Sequence, residues 1–80
     1  MDIEVKLPQW GMGMTEGEIL EWLKNDGDRV TQGEPLVEVE AAKATEVVDS
    51  PASGILQIVA QVGDIIEVRE VIAVIRTEDG

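Results

Sequence analysis

Six side chains carry positive charge in this 80-residue chain, and one of them, Lys43, stands where an amine could be reached by another macromolecule. It sits in the run Glu38-Val39-Glu40-Ala41-Ala42-Lys43-Ala44-Thr45-Glu46-Val47. Hairpin turns usually contain Gly, Asn, Asp or Pro, which tolerate or preset the required dihedrals. This one contains none of them, although a type I turn accepts most residues. Three alanines leave Lys43 without bulky neighbours. Such a lysine suits attachment of a group better than catalysis. Schiff-base chemistry needs a lowered pKa, and an exposed turn in an acidic chain supplies neither burial nor a second cation. Without context, an exposed lysine is simply a solvated side chain.

Other chemistries find little support. There is no His and no Cys, which removes the commonest general base, thiol chemistry, disulfides and zinc thiolate sites. Ser50, Ser53 and Thr45 therefore lack an evident base to activate them. Gly11-Met12-Gly13 is not a dinucleotide fingerprint, because Glu16 occupies the third glycine position and no βαβ frame surrounds it. The acids show no EF-hand spacing and read as solvated strand edges.

The elements that must position Lys43 read as strands. Ile3, Val5 and Leu7 alternate with Asp2, Glu4 and Lys6, the period of a half-buried strand. Turn signals recur at Asp26-Gly27, Gly33, Ser50-Pro51 and Gly63-Asp64. In Ser50-Pro51-Ala52-Ser53-Gly54, Pro fixes φ and Gly is free to take an unusual conformation. The stretch 18–24 has some helical character, but its counterpart Leu56-Gln57-Ile58-Val59 is strand-like, and both are read as strands.

That counterpart comes from an internal repeat. A shift of 36 residues lays Glu16–Glu40 on Ala52–Arg76 without a gap, with five identities in 25 positions. Ile19-Leu20 falls on Ile55-Leu56, Gly27-Asp28 on Gly63-Asp64 and Glu34 on Glu70. The apolar pattern also agrees: Trp22 with Ile58, Leu23 with Val59, Val30 with Ile66, Leu36 with Ile72, Val39 with Ile75. A period present only twice implies two halves about a two-fold axis rather than a solenoid. The expected fold is all-β, a flattened barrel or sandwich of two about four-stranded antiparallel sheets. Symmetry places the turn at 41–44 at one end and both termini at the other. One domain spans 1–80, with 77–80 reading as the start of a linker. Trp22 reads as core, whereas Trp10 in its Gly-rich loop is open to an interaction role.

A net charge of −11 repels phosphate backbones and anionic lipid, so neither nucleic acid nor membrane is expected as a partner. It favours electropositive proteins. No signal peptide opens the chain and no apolar stretch approaches the ~20 residues of a membrane span, so a cytoplasmic, monomeric domain is expected.

The run Glu40-Ala41-Ala42-Lys43-Ala44-Thr45, followed by Ser50-Pro51-Ala52-Ser53-Gly54, closely resembles the lipoyl domains of 2-oxo acid and acetoin dehydrogenase complexes. Leu7-Pro8, Gly11 to Gly17, Glu21-Trp22-Leu23, Gly27-Asp28, Val30 and Gly33 extend the resemblance from Val5 to about Ile75. It implies that Lys43 carries lipoate in amide linkage. It also implies that Glu40 helps the lipoate-attaching enzyme accept the domain and that Gly33 and Gly54 shape turns around the hairpin. The loop of Trp10, Gly11, Met12, Gly13, Met14 and Thr15 would help select the partner decarboxylase. Ala42 and Ala44 flank the lysine. Ala42 replaces the family's usual Asp, a departure that bears on partner selectivity more than on attachment. The implied protein is a carrier without a catalytic site of its own, part of a dihydrolipoamide acyltransferase. Its partners would be a thiamine-diphosphate decarboxylase or dehydrogenase, an acyltransferase core and dihydrolipoamide dehydrogenase. A biotinyl carrier shares the fold but has Met on both sides of its lysine, where this chain has alanines. An unmodified interaction module is the remaining alternative; a glycine-cleavage carrier would be longer.

Overall fold

The computed structural model describes residues 1–41 and 44–77. Among these, eight strands form: β1 (Asp2–Lys6), β2 (Glu16–Trp22), β3 (Arg29–Val30), β4 (Pro35–Ala41), β5 (Ala44–Asp49), β6 (Gly54–Ile58), β7 (Ile65–Glu67) and β8 (Val71–Arg76). They make two four-stranded sheets, ordered β1-β8-β6-β3 and β5-β4-β2-β7, with every pairing antiparallel. The fold is an all-β flattened barrel-sandwich, as the alternation of the sequence requires. The segment with helical character, 18–24, lies mostly in β2. Its outward glutamates and inward Gly17 and Ile19 obey the strand period.

The core is aliphatic. Leu7, Ile19, Leu36, Val37, Val39, Leu56, Ile72, Ala73 and Ile75 are fully enclosed, with Trp10, Trp22, Ile58 and Ile66 packed against them. Each fully buried Leu or Ile contributes about 1.5–3 kcal/mol by leaving water. Trp22 is half-buried, and its indole Nε1–H donates to the Ala60 carbonyl at 2.9 Å, tying one sheet to the other half of the chain. Leu23 and Val59, matched in the repeat as apolar positions, are both exposed at the turns that follow their strands.

The two-fold relation is visible bond by bond. Asn25 N–H donates to Asp28 Oδ2 at 2.8 Å, and Gln61 N–H to Asp64 Oδ2 at 2.9 Å. Gly33 N–H donates to the Ser50 carbonyl, as Arg69 N–H does to that of Leu7. Gly33 has φ +91° and its counterpart Arg69 has φ +77°. The repeat imposes the left-handed turn even where the residue is not glycine.

One feature of the ungapped alignment is corrected by the pairing. Val39 faces Ile19, and its counterpart Ile75 faces Leu56. Likewise Gly17 faces Ile66 while Gly54 faces Val30. In the first half of β2 the true offset is therefore one residue longer than in the rest. The extra residue is Leu20, bulged between Ile19 and Glu21 and left exposed. The identity of Ile19-Leu20 with Ile55-Leu56 is thus one of letters and not of structural position.

Gly54 is a second correction. It does not adopt a positive φ. It is a glycine because a Cβ there would run into the backbone of Arg76 and Thr77. The turn before it is held instead by Ser50, whose buried hydroxyl donates to the Ala52 carbonyl at 2.6 Å, and by Ser53 Oγ, which accepts Gln32 N–H at 2.9 Å.

Candidate functional site

The β4–β5 ladder runs Val37–Val48, Glu38–Val47, Val39–Glu46, Glu40–Thr45 and Ala41–Ala44. Its symmetry mate, the β8–β1 ladder, runs Ala73–Val5, Val74–Glu4, Ile75–Ile3 and Arg76–Asp2, and continues with Thr77 N–H donating to the Met1 carbonyl at 3.0 Å. The last described pair of the hairpin and the joined chain ends are therefore equivalent positions. The beginnings of β4 and β8 are linked through a short chain of bonds: Leu23 N–H donates to the Leu36 carbonyl, Trp22 Nε1–H to the Ala60 carbonyl, and Ala60 N–H to the Ile72 carbonyl. Ala42 and Lys43 fall between the paired Ala41 and Ala44 and lie outside the described residues.

A cavity of about 330 Å³ opens beside this pair, lined by Trp10, Gly11, Met12, Gly13, Met14, Ala41, Ala44 and Glu46. The structure holds the Trp10–Met14 loop beside Ala41 and Ala44 through a few specific contacts. Met14 is buried and acts as the anchor. Its Sδ accepts Trp10 N–H at 3.4 Å, its own N–H donates to the Gly11 carbonyl at 3.2 Å, and its carbonyl accepts Gln9 Nε2 at 3.3 Å. Gly13 supplies φ +87° for the tight return. Met12 at the loop's crest is fully solvent-exposed. Thr15 is not on the cavity wall: its carbonyl accepts Val68 N–H at 3.0 Å and begins the pairing of β2 with β7.

Ala41 and Glu46 were not anticipated as cavity residues. The signal was available, since strand alternation puts Glu46 on the same side as Ala44 and Val48, the side the loop covers.

Glu40 lies on the other side of the hairpin, exposed, in a shallow groove with Glu16, Gly17, Glu18 and Ile65. The site thus has an apolar flank and an acidic flank. Across the sheet, Glu16 faces Glu67, Glu18 faces Glu40, and Glu21 faces Glu38. The described strand residues of this sheet carry eight acids and no Lys or Arg, whereas the other sheet carries Asp2 and Glu4 with Lys6, Arg29 and Arg76. Gly33 and Gly54 lie away from the cavity, and neither lines it. Among the described residues no cluster of carboxylates is arranged to hold a metal, and no buried side-chain polar atom lacks a partner.

An all-β frame of two equivalent halves, with a lysine between the last paired residues of a hairpin, defines a class of covalent carrier domains. The family model described as "Biotin-requiring enzyme", the biotin–lipoyl family, matches residues 3–75. The chain belongs to this family. It is 45% identical over 78 residues to the dihydrolipoyllysine-residue succinyltransferase component of the 2-oxoglutarate dehydrogenase complex of Staphylococcus saprophyticus, covering 96% of this chain and 18% of that protein. It is 42% identical over 80 residues to the acetyltransferase component of the pyruvate dehydrogenase complex of Corynebacterium glutamicum, covering 99% and 12%. Against the acetyltransferase component of the acetoin cleaving system of Cupriavidus necator it is 36% identical over 74 residues, covering 91% and 20%. The chain spans a fifth or less of the length of these relatives.

Proposed function

We propose that the domain carries lipoate in amide linkage on Lys43 and acts as the swinging arm of a 2-oxo acid or acetoin dehydrogenase complex. The observation that carries this reading is the β4–β5 ladder, paired from Val37–Val48 to Ala41–Ala44, the two residues that bracket positions 42 and 43 in the chain. The residues present fit the group: the adjoining cavity is walled by Trp10, Met12, Met14 and two alanines, apolar and soft surfaces suited to a hydrocarbon arm ending in sulfur. When bound, lipoate supplies a dithiolane that accepts acyl groups and reducing equivalents.

The chain's own residues contribute attachment, recognition and reach, and no catalysis. Amide formation removes the Lys43 charge. Glu40, exposed three residues before the lysine, offers the attaching enzyme a charged contact. The six glutamates paired across the sheet draw in a basic partner surface, and the tether keeps the local concentration high. The partners are a thiamine-diphosphate decarboxylase, the acyltransferase core and dihydrolipoamide dehydrogenase, in the cytoplasm. Alanines on both sides of Lys43 and the acyltransferase relatives favour lipoate over biotin.

The test is intact mass with peptide mapping after expression in cells supplied with both lipoate and biotin. A lipoyl increment on Lys43 that is absent from Lys43→Gln is the expected result. A biotinyl increment, or none on a folded domain with active ligases, overturns the reading.

A further inference from the structure

Resting on the carrier reading, we propose that the cavity between the Trp10–Met14 loop and the hairpin is a berth for the lipoyl arm itself. The arm docks there between transfers and is released when a partner engages the loop.

Three observations converge on this occupant. The first is continuity: Ala44 is on the cavity wall and is bonded to Lys43, so the arm is carried by the next residue in the chain. The second is size, since about 330 Å³ lies within the ~300–1,000 Å³ of small-molecule sites. The third is chemistry. Trp10, Met12, Met14, Ala41 and Ala44 present an aromatic face, two thioethers and two methyl groups, with Glu46 as the one ionisable side chain among the described lining residues. Acylation turns Lys43 from a cation into a neutral amide bearing a long apolar chain. Such a chain gains from an apolar wall where a cation would not. Sulfur against an aromatic ring is a favourable contact, and Trp10 supplies the ring.

Tethering makes the docking intramolecular. At the millimolar effective concentration of a short arm, even a site of millimolar intrinsic affinity is about half occupied. A berth this weak leaves the arm free to swing. Because the same loop forms the outer wall, a protein that grips the loop displaces the arm. Recognition and release are thereby one event.

The experiment compares amide and indole NMR spectra of the lipoylated and unmodified domain, with intact mass reporting the loading of each sample. Docking moves the Trp10 indole N–H and the amides of Gly11 to Met14, while the indole of Trp22, bonded to Ala60, stays in place as an internal reference. Met12→Asp, a change at a fully exposed position, reduces the Trp10 displacement severalfold with loading unchanged. A fully loaded domain whose loop signals coincide with those of the unmodified one overturns the berth and leaves the carrier reading intact. Equal displacements in Met12→Asp overturn it as well, because the perturbation then passes through the hairpin backbone. Absence of loading removes the carrier reading, and the berth with it.

Discussion

Gly17 and Gly54 occupy equivalent positions in the two halves, facing Ile66 and Val30 respectively, and a methyl group added at each meets a different kind of obstacle. At Gly54 a Cβ would overlap the Arg76 carbonyl oxygen, with the carbonyl carbon 2.8 Å away and Thr77 Cα at 3.0 Å. These are backbone atoms of the strand that β6 pairs with, so relief requires β6 and the end of β8 to separate. At Gly17 the nearest atom is Val39 Cγ1 at 2.7 Å, with Glu40 O and Leu7 Cδ2 both at 3.4 Å. There a buried but movable side chain yields, at the cost of a valine leaving its preferred rotamer. Overpacking costs about 1–3 kcal/mol. Gly54→Ala belongs at or above the top of that range, and Gly17→Ala near the bottom. The loss of unfolded-chain entropy, about 0.4–1 kcal/mol in favour of alanine, is common to both and cancels in the comparison. Gly54→Ala is therefore expected to lose about 3 kcal/mol, or roughly 12–24 °C in Tm for a domain of this size. Gly17→Ala is expected to lose about 1 kcal/mol. Urea and thermal unfolding followed by circular dichroism measure both. If Gly17→Ala is the more destabilised, the distinction between backbone and side-chain obstruction is wrong.

Three further outcomes are expected. The Lys24 ammonium, 3.0 Å from Glu34 Oε2, and the Thr31 N–H on Oε1 hold the Glu34 carboxyl below its ordinary pKa. A group lowered on folding stabilises above its unfolded value and loses that contribution as pH falls through the folded one. Hence the stability gap between the native domain and Glu34→Gln shrinks as pH drops below about 4.3, and urea midpoints at about pH 7 and about pH 3 test this. Arg69→Gly relieves a left-handed residue costing roughly 1–2 kcal/mol against a glycine entropy of about 0.5–1, so a net gain of about 0.5 kcal/mol is expected in the same unfolding assay. Glu18→Gln with Glu38→Gln leaves one charge in each of the Glu18–Glu40 and Glu21–Glu38 pairs. It is expected to raise stability by a few tenths of a kcal/mol and to slow acylation by the partner decarboxylase at low salt, with the difference vanishing at high salt.

Much of the frame was legible because burial on one face forces alternation, and two matched halves force matched turns. Gly27-Asp28 and Gly63-Asp64 announced the same bonded turn twice, and the structure closes both with an aspartate accepting the amide three residues back. The bulge at Leu20 was not legible. A single inserted residue in a strand leaves composition unchanged, and the chance identity of Ile19-Leu20 with Ile55-Leu56 concealed the slip. Gly54 was assigned the wrong reason, since close approach to Arg76 depends on the packing of a strand distant in sequence. Among site residues, Met14 as the loop's buried anchor was not legible, because a methionine in a Gly-rich loop looks the same in sequence whether it faces in or out.

The repeat also separates what the fold needs from what the site needs. Equivalent positions share one backbone, so a difference between the halves is not a requirement of folding. Two differences stand out, and both fall at the hairpin end. Nine residues, 7–15, separate β1 from β2, whereas four, 50–53, separate the equivalent β5 and β6. The longer connection makes the loop that walls the cavity. The cross-strand pairs Glu18–Glu40 and Glu21–Glu38 correspond to Ile55–Arg76 and Gln57–Val74 in the other sheet. Facing glutamates repel, and the second half shows that the same ladder forms without them. A cost carried in one half and avoided in the other is retained for something other than stability. On the proposed carrier reading, the facing glutamates beside Glu40 serve the approach of a basic partner, and the extra loop residues hold the arm until that partner arrives.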